Sequence, residues 1–245
     1  MAEGSFWAQA GYQVQLEWGE AGVTHLAPLA AAVVVVDVLS FSTCVDVATA
    51  RGAVVLPFRR RDARAAAFAG ESGARLAGER RSGGPSLSPT SLLGLRAGER
   101  LVLPSPNGAT LCTQAQEAGG AAVYAACLRN AAAVAEVLKE RHERVLIVPA
   151  GERWPDGTLR PALEDLLGAG AVVEALGLSP SPEAVGARAV FRELRGRLPE
   201  VLAGCASGVE LTQRGFPEDM ALAAELNVSR AVPVLRGDAF MDVAG

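Results

Sequence analysis

Val33-Val34-Val35-Val36 is a β-branched run closed by Asp37. It is too short for a helix and apolar at every position, so it reads as a strand buried on both faces. Runs of the same character recur at 53–56, 101–103, 121–124 and 145–148. Stretches 62–69, 109–118, 131–141 and 162–176 are rich in Ala, Leu, Glu and Arg, a helix-forming composition. Strands alternating with helices predict an α/β protein with a parallel or mixed sheet and helices on both faces. After Gly177 the pattern changes: 182–226 looks mostly helical, and only 231–235 reads as another strand. Ser179-Pro180-Ser181-Pro182 marks the change, with Ser181 expected at an N-cap and Pro182 at the first helical position. The expected division is 1–178, an α/β part with most candidate loops, and 179–245, a mainly helical part with a late strand. Two α/β subdomains and one compact unit both accommodate that division.

Composition narrows the chemistry. Half of the 245 residues are hydrophobic and 20% are charged, which excludes an intrinsically disordered chain. A net charge of −4, with the basic run Arg59-Arg60-Arg61 followed directly by Asp62, leaves no electrostatic footprint for nucleic acid. The most apolar stretch, 26–36, contains Pro28 and falls short of the ~20 residues that span a bilayer. The first residues lack the basic and apolar regions of a secretory signal, so the expectation is a cytoplasmic protein. Cys44, Cys112, Cys127 and Cys205 have no C-x-x-C spacing and read as free thiols. Cys44 and Cys127 lie near expected helix N-termini, where a thiol is either activated or simply a small buried side chain. Lys139, the single lysine, sits in the charged run 139–144, and neither His25 nor His142 falls in a loop after a strand. Lysine chemistry, histidine phosphatases and Ser/His/Asp hydrolases are thereby disfavoured.

In an open α/β sheet, ligands collect beyond the carboxyl ends of the strands. Asp37-Val38-Leu39-Ser40-Phe41-Ser42-Thr43 follows the first run, a carboxylate and then hydroxyls entering a helix. That composition suits a phosphate with its hard cation, and equally an ordinary N-cap with a salt-bridged aspartate. Ser105-Pro106-Asn107-Gly108-Ala109-Thr110 offers an Asn-Gly pair tolerant of positive φ, either an anion-binding turn or a plain one. Cys127-Leu128-Arg129-Asn130 places an arginine and an N-capping asparagine after the fourth run. Ala150-Gly151-Glu152 follows the fifth, and Glu164-Asp165 begins the next helix, where a dipole-favoured position explains them as well as metal binding does. The 78–95 segment is a long Gly/Ser/Pro loop of the kind that often serves function. Four successive strand ends on one edge of a parallel sheet, each with anion- or metal-binding residue types, favour Mg²⁺-assisted phosphoryl transfer to water.

Taken in order, these segments, with Ser86-Leu87-Ser88-Pro89, Leu163-Glu164-Asp165, Ser207-Gly208-Val209-Glu210-Leu211 and Gly215-Phe216-Pro217-Glu218-Asp219, resemble the 2-phosphosulfolactate phosphatase family over nearly the whole chain. The resemblance implies a Mg²⁺-dependent acid phosphatase converting 2-phosphosulfolactate to 3-sulfolactate in coenzyme M biosynthesis, with its site between two subdomains. It implies catalytic roles for Asp37, Glu152 and Asn107. Asp37, Glu164 and Asp165 would bind the metal, and Ser42, Thr43, Ser105, Gly108, Thr110, Arg129 and Asn130 the substrate. The expected partner is a small phosphoester, with a homodimer left open. Three departures fall in the expected pocket. The family's Arg-Ala-Thr after Asp-Val-Leu is Ser40-Phe41-Ser42 here, its Thr-Thr-Asn-Gly is Ser105-Pro106-Asn107-Gly108, and its Gly-Asn-Ser-Pro is Ser86-Leu87-Ser88-Pro89. A related phospho-hydroxy acid, a same-fold hydrolase with another substrate, and a non-catalytic binder of an anionic metabolite all remain open at this point.

Overall fold

A computed structural model describes residues 5–244. Eleven strands occur among them. They are β1 (Val14–Leu16), β2 (Ala32–Val36), β3 (Val54–Phe58), β4 (Arg75–Leu76), β5 (Arg100–Pro104), β6 (Ala122–Ala126), β7 (Val145–Pro149), β8 (Glu152–Arg153), β9 (Leu159–Arg160), β10 (Pro233–Arg236) and β11 (Ala239–Asp242). The helices are α1 (Gly19–Leu26), α2 (Phe41–Thr49), α3 (Ala63–Glu71), α4 (Gly108–Ala118), α5 (Ala131–Arg141), α6 (Leu163–Leu176), α7 (Pro182–Leu194), α8 (Leu198–Gly204), α9 (Ala206–Gln213) and α10 (Pro217–Ala223). Ser181 caps α7 as expected, its Oγ accepting from the Ala184 N–H at 3.2 Å, with Pro182 as the first helical residue.

Nine strands form one mixed sheet in the order β1-β7-β2-β6-β10-β11-β3-β5-β4, and β8 and β9 pair as a separate hairpin. The fold is α/β. β2 lies inside the sheet and is buried at every position. Val34 and Val36 face one core while Val33 and Val35 face the other. Each buried valine contributes about 1.5–3 kcal/mol relative to an exposed one, so this run anchors the sheet from both sides.

The sheet is not the single parallel one in which the strand ends would share an edge. β1, β7, β2 and β6 run parallel, and so do β3, β5 and β4. Between these blocks lies the β10–β11 hairpin, antiparallel to β6 on one side and to β3 on the other. The two blocks therefore point in opposite directions by pairing. Their C-terminal ends still meet: the Gly108 N–H, just after β5, donates to Asp37 Oδ2, just after β2, at 2.9 Å. Residues 233–242 thus return from the helical C-terminal part to the middle of the sheet.

One helix–sheet contact sets the position of the acidic residues. α6 packs directly over β2, and a Cβ at Gly168 would lie 2.7 Å from both Val36 Cγ1 and Val38 Cγ2. Only glycine permits that approach, and it brings the first turn of α6, with Glu164 and Asp165, against the end of β2.

Candidate active site

Asp37 stands just beyond β2 and is almost fully buried. Its Oδ1 accepts from the Phe41 N–H at 3.0 Å and its Oδ2 from the Gly108 N–H at 2.9 Å, so the first residues of α2 and α4 clamp it. Helix N-termini suit a carboxylate. The amides expected to cradle an external anion are here engaged by the protein's own aspartate. Asn107 and Gly108 also differ from the expected turn: Asn107 has φ −98°, and Gly108 is not among the positive-φ residues. Glycine is required for room, since a Cβ at 108 would lie 2.4 Å from the Phe41 ring and 2.7 Å from Asp37 Oδ2.

Asp165 performs a similar fastening from behind. Its Oδ1 accepts from the Val38 N–H at 2.7 Å and its Oδ2 from the Gly151 N–H at 2.8 Å, tying the β2 and β7 ends to α6. Neighbouring Glu164 is buried and accepts from Cys205 Sγ at 3.3 Å. Glu152, opening the β8–β9 hairpin, accepts from Asn107 Nδ2 at 2.9 Å. The gathering of acids leaves an electrostatic signature. Burial, aided by Glu164, raises Asp37 to about 6; burial and the charges of Asp37 and Glu164 raise Glu152 to about 7. Burial, with Asp37 and Glu164, pushes Asp165 well above the usual carboxylate range.

Asp37, Asn107 and Glu152 border a cavity of about 250 Å³ that Ser40, Ser105 and Arg80 also line, whereas Glu164 and Asp165 stay behind its wall. Arg80 went unnoticed in the sequence. It extends from the long 78–95 loop, where Nη1 pairs with Asp219 at 2.5 Å and Nη2 donates to Ser40 Oγ at 3.0 Å. Asp219 Oδ1 accepts in turn from Ser88 Oγ at 2.6 Å and Thr90 Oγ1 at 2.7 Å. A guanidinium thus touches the residue standing where the family arginine is absent. The GERRSGG stretch was visible in sequence, but nothing local distinguished Arg80 from the arginines around it.

The other expected residues are placed differently. Ser42 Oγ donates to the Val35 carbonyl and accepts from the Asp37 N–H, and Thr43 Oγ1 donates to the Val38 carbonyl. Both hydroxyls are buried and hold the loop's shape. Thr110 is half-buried in the first turn of α4. Asn130 occupies the N-cap of α5, yet its side chain accepts from the Cys127 N–H and donates to the Ala231 carbonyl. Arg129 Nε pairs with buried Asp46 at 2.8 Å, and its Nη1 pairs with Glu225. It does not line the Asp37 cavity. Cys44 and Cys127 are buried, which raises both thiols, Cys127 to about 12, so they are packing residues rather than nucleophiles. Among the described residues, His25 is exposed on α1 and His142 bonds Tyr124, both away from the cavity.

Among the described residues no three His, Cys, Asp or Glu side chains are grouped to hold a metal ion. Mg²⁺ does not need such a cage. It commonly takes one or two carboxylates and completes its shell with water and phosphate oxygens. Hard oxygen donors and mutually repelling carboxylates fit that open kind of site.

Fold and pocket together define an α/β protein in which Asp37 and Glu152 from the strand ends of one parallel block, Asn107 from the other and Arg80 from the 78–95 loop meet at one small cavity. Comparison with known proteins narrows the class. The family model described as 2-phosphosulpholactate phosphatase matches residues 22–238. The chain is 32% identical over 212 residues to the probable 2-phosphosulfolactate phosphatase of Carboxydothermus hydrogenoformans, covering 82% of this chain and 85% of that one. It is 30% identical over 209 residues to the 2-phosphosulfolactate phosphatase of Methanothermobacter thermautotrophicus, covering 83% and 86%. A probable 2-phosphosulfolactate phosphatase of Gloeobacter violaceus is 33% identical over 138 residues, where the match spans 56% of each protein, little more than half its length. This chain belongs to the 2-phosphosulfolactate phosphatase family, as the order of its motifs led us to expect.

Proposed function

We propose that the chain is a Mg²⁺-dependent phosphatase of a small anionic phosphate monoester, 2-phosphosulfolactate giving 3-sulfolactate or a related phospho-hydroxy acid. The observation that carries this reading is the meeting of Asp37, Asn107 and Glu152, from the ends of β2, β5 and β7, at one cavity bordered by Arg80. Glu152, with its pKa raised to about 7, keeps a proton near neutrality and is poised as general acid. As the ester P–O bond breaks, that proton passes to the leaving oxygen while water supplies the new oxygen on phosphorus. Asn107 orients the Glu152 carboxyl by its hydrogen bond. Arg80, fixed by Asp219, faces the charge of the phosphoryl group.

Asp37 and Glu164 are the residues we assign to Mg²⁺, with Asp165 holding the loop after β2 that presents Asp37. Bound there, the ion would neutralise phosphate charge and polarise the phosphoryl oxygens. Phosphate release from 2-phosphosulfolactate and from p-nitrophenyl phosphate, with Mg²⁺ and with EDTA, tests the reading. Turnover that EDTA abolishes and Mg²⁺ restores is expected. No metal-dependent release from either compound would overturn it.

A further inference from the structure

The 250 Å³ cavity adjoins a larger one of about 680 Å³, with Arg80, Leu87, Pro106 and Arg214 lining both. The two spaces differ in charge. Asp37, Glu152 and Glu210 border the smaller beside Arg80 and Arg214, whereas Arg61 and Arg81 join those two arginines around the larger, opposed there by Glu79 alone among the described acidic residues. Leu87, Pro104 and Phe216 add apolar wall. Among the described residues, neither Arg61 nor Arg81 is in an ion pair: Arg61 Nη2 donates to the Ala77 and Gly78 carbonyls, and Arg81 Nη2 to the Arg214 carbonyl at 2.8 Å. The Arg214–Glu210 pair, 3.0 Å and more than half exposed on both sides, is weak enough to exchange for a ligand.

A three-carbon phosphoester is small enough for the smaller space, where Arg80 and Arg214 already stand, and would not reach Arg61 or Arg81, which line only the larger one. We propose that the larger cavity is a second anion subsite, and that the chain prefers a phosphate monoester whose second anionic group, a carboxylate or sulfonate, lies several carbons from the phosphate. This deepens the phosphatase reading and rests on it. The phosphate sits by Asp37 and Arg80, the carbon body passes Leu87 and Pro106, and the distal anion meets Arg81 and Arg214, whose planar guanidinium groups suit bidentate contacts with oxyanions.

The test uses matched esters: 6-phosphogluconate, which carries a distal carboxylate; glucose 6-phosphate, of similar size without one; and 2-phosphoglycerate, in which the second anion is adjacent. With Mg²⁺ present, kcat/KM for 6-phosphogluconate is expected to exceed that for the other two by about tenfold or more, a margin ordinary for a charge-assisted contact. The double substitution Arg81→Gln, Arg214→Gln, at exposed positions where folding is not at stake, brings the 6-phosphogluconate to glucose 6-phosphate ratio towards one. Equal or better turnover of 2-phosphoglycerate, or a ratio insensitive to the double substitution, would overturn the proposal. Calorimetric titration with the same esters separates the two readings. If no ester is hydrolysed, the phosphatase reading fails, yet tighter binding of 6-phosphogluconate than glucose 6-phosphate that the double substitution erases still supports the subsite. Equal binding of the two overturns it.

Discussion

The Gly108 N–H donates to Asp37 Oδ2 at 2.9 Å, so the first residue of α4 holds the carboxylate at the end of β2 across two oppositely directed blocks of the sheet. A methyl group at 108 would meet the same oxygen at 2.7 Å and the Phe41 ring at 2.4 Å. Gly108→Ala is therefore expected to lower stability by about 1–3 kcal/mol, the usual cost of overpacking, measured by urea unfolding. Phosphate release should fall further than stability does, because the displaced carboxylate is the reacting centre's own.

Glu152 sets the pH dependence. Its protonated form is the acid, so kcat should fall as pH rises through about 7, and Glu152→Gln should remove that limb along with most activity. The Asn107 hydrogen bond favours the ionised form and holds the pKa down. Asn107→Ala should then move the limb to higher pH, read from a full pH–rate profile. A limb that moves downward contradicts the assignment.

Metal-free stability should decline from mildly acid to neutral pH. Asp37 goes from an ordinary 3.8 to about 6 and Glu152 from 4.5 to about 7, so the folded state binds more protons than the unfolded one. Stability then falls as pH rises through that window and is lowest above about 7. Thermal unfolding in EDTA at pH 5 and pH 8 checks the sign. Added Mg²⁺ should raise Tm more at pH 8 than at pH 5, and Asp37→Asn should erase the difference.

Arg129 is expected to matter first for stability. Asp46, its partner, is fully buried, and Asp46 Oδ1 has no hydrogen-bond partner among the described residues. Removing one partner of a buried pair leaves an uncompensated charge, so Arg129→Ala should cost about 3 kcal/mol in denaturant unfolding. A change in KM without a change in stability would return Arg129 to the substrate.

Asp219 acts through Arg80. Asp219→Asn weakens the 2.5 Å pair and the bonds from Ser88 and Thr90, and should raise KM about tenfold while changing kcat less. An equal loss in kcat with KM unmoved would show that Arg80 needs no such positioning.

Local pattern made the central strands legible. The β2 valines, the β7 run and the Ser181–Pro182 start of α7 all follow from burial and capping rules that act within a few residues. Asp37, Asn107 and Glu152 were also readable, because a polar residue just beyond a buried strand falls at the ligand-binding end. Contacts between distant segments were not. Arg80 and Asp219 are 139 positions apart, and neither sits at a strand end. The β11 strand, only four residues after a turn at Gly237, was too short to distinguish from a loop, and without it the reversal between parallel blocks could not be inferred. Arg129 shows the opposite difficulty: an arginine at a strand end looks available until the buried aspartate that engages it is placed.

The central hairpin also dictates an order of events during synthesis. Until residues 233–242 have emerged, β6 and β3 present unpaired edges, open to pairing with another chain. Asp37 belongs to the block made around β2 and its Gly108 clamp to the block made around β5, so the hairpin that closes the sheet between them is the last strand support of the pocket to be made. A nascent chain of this protein has its Asp37, Asn107 and Glu152 well before the sheet that carries them is continuous.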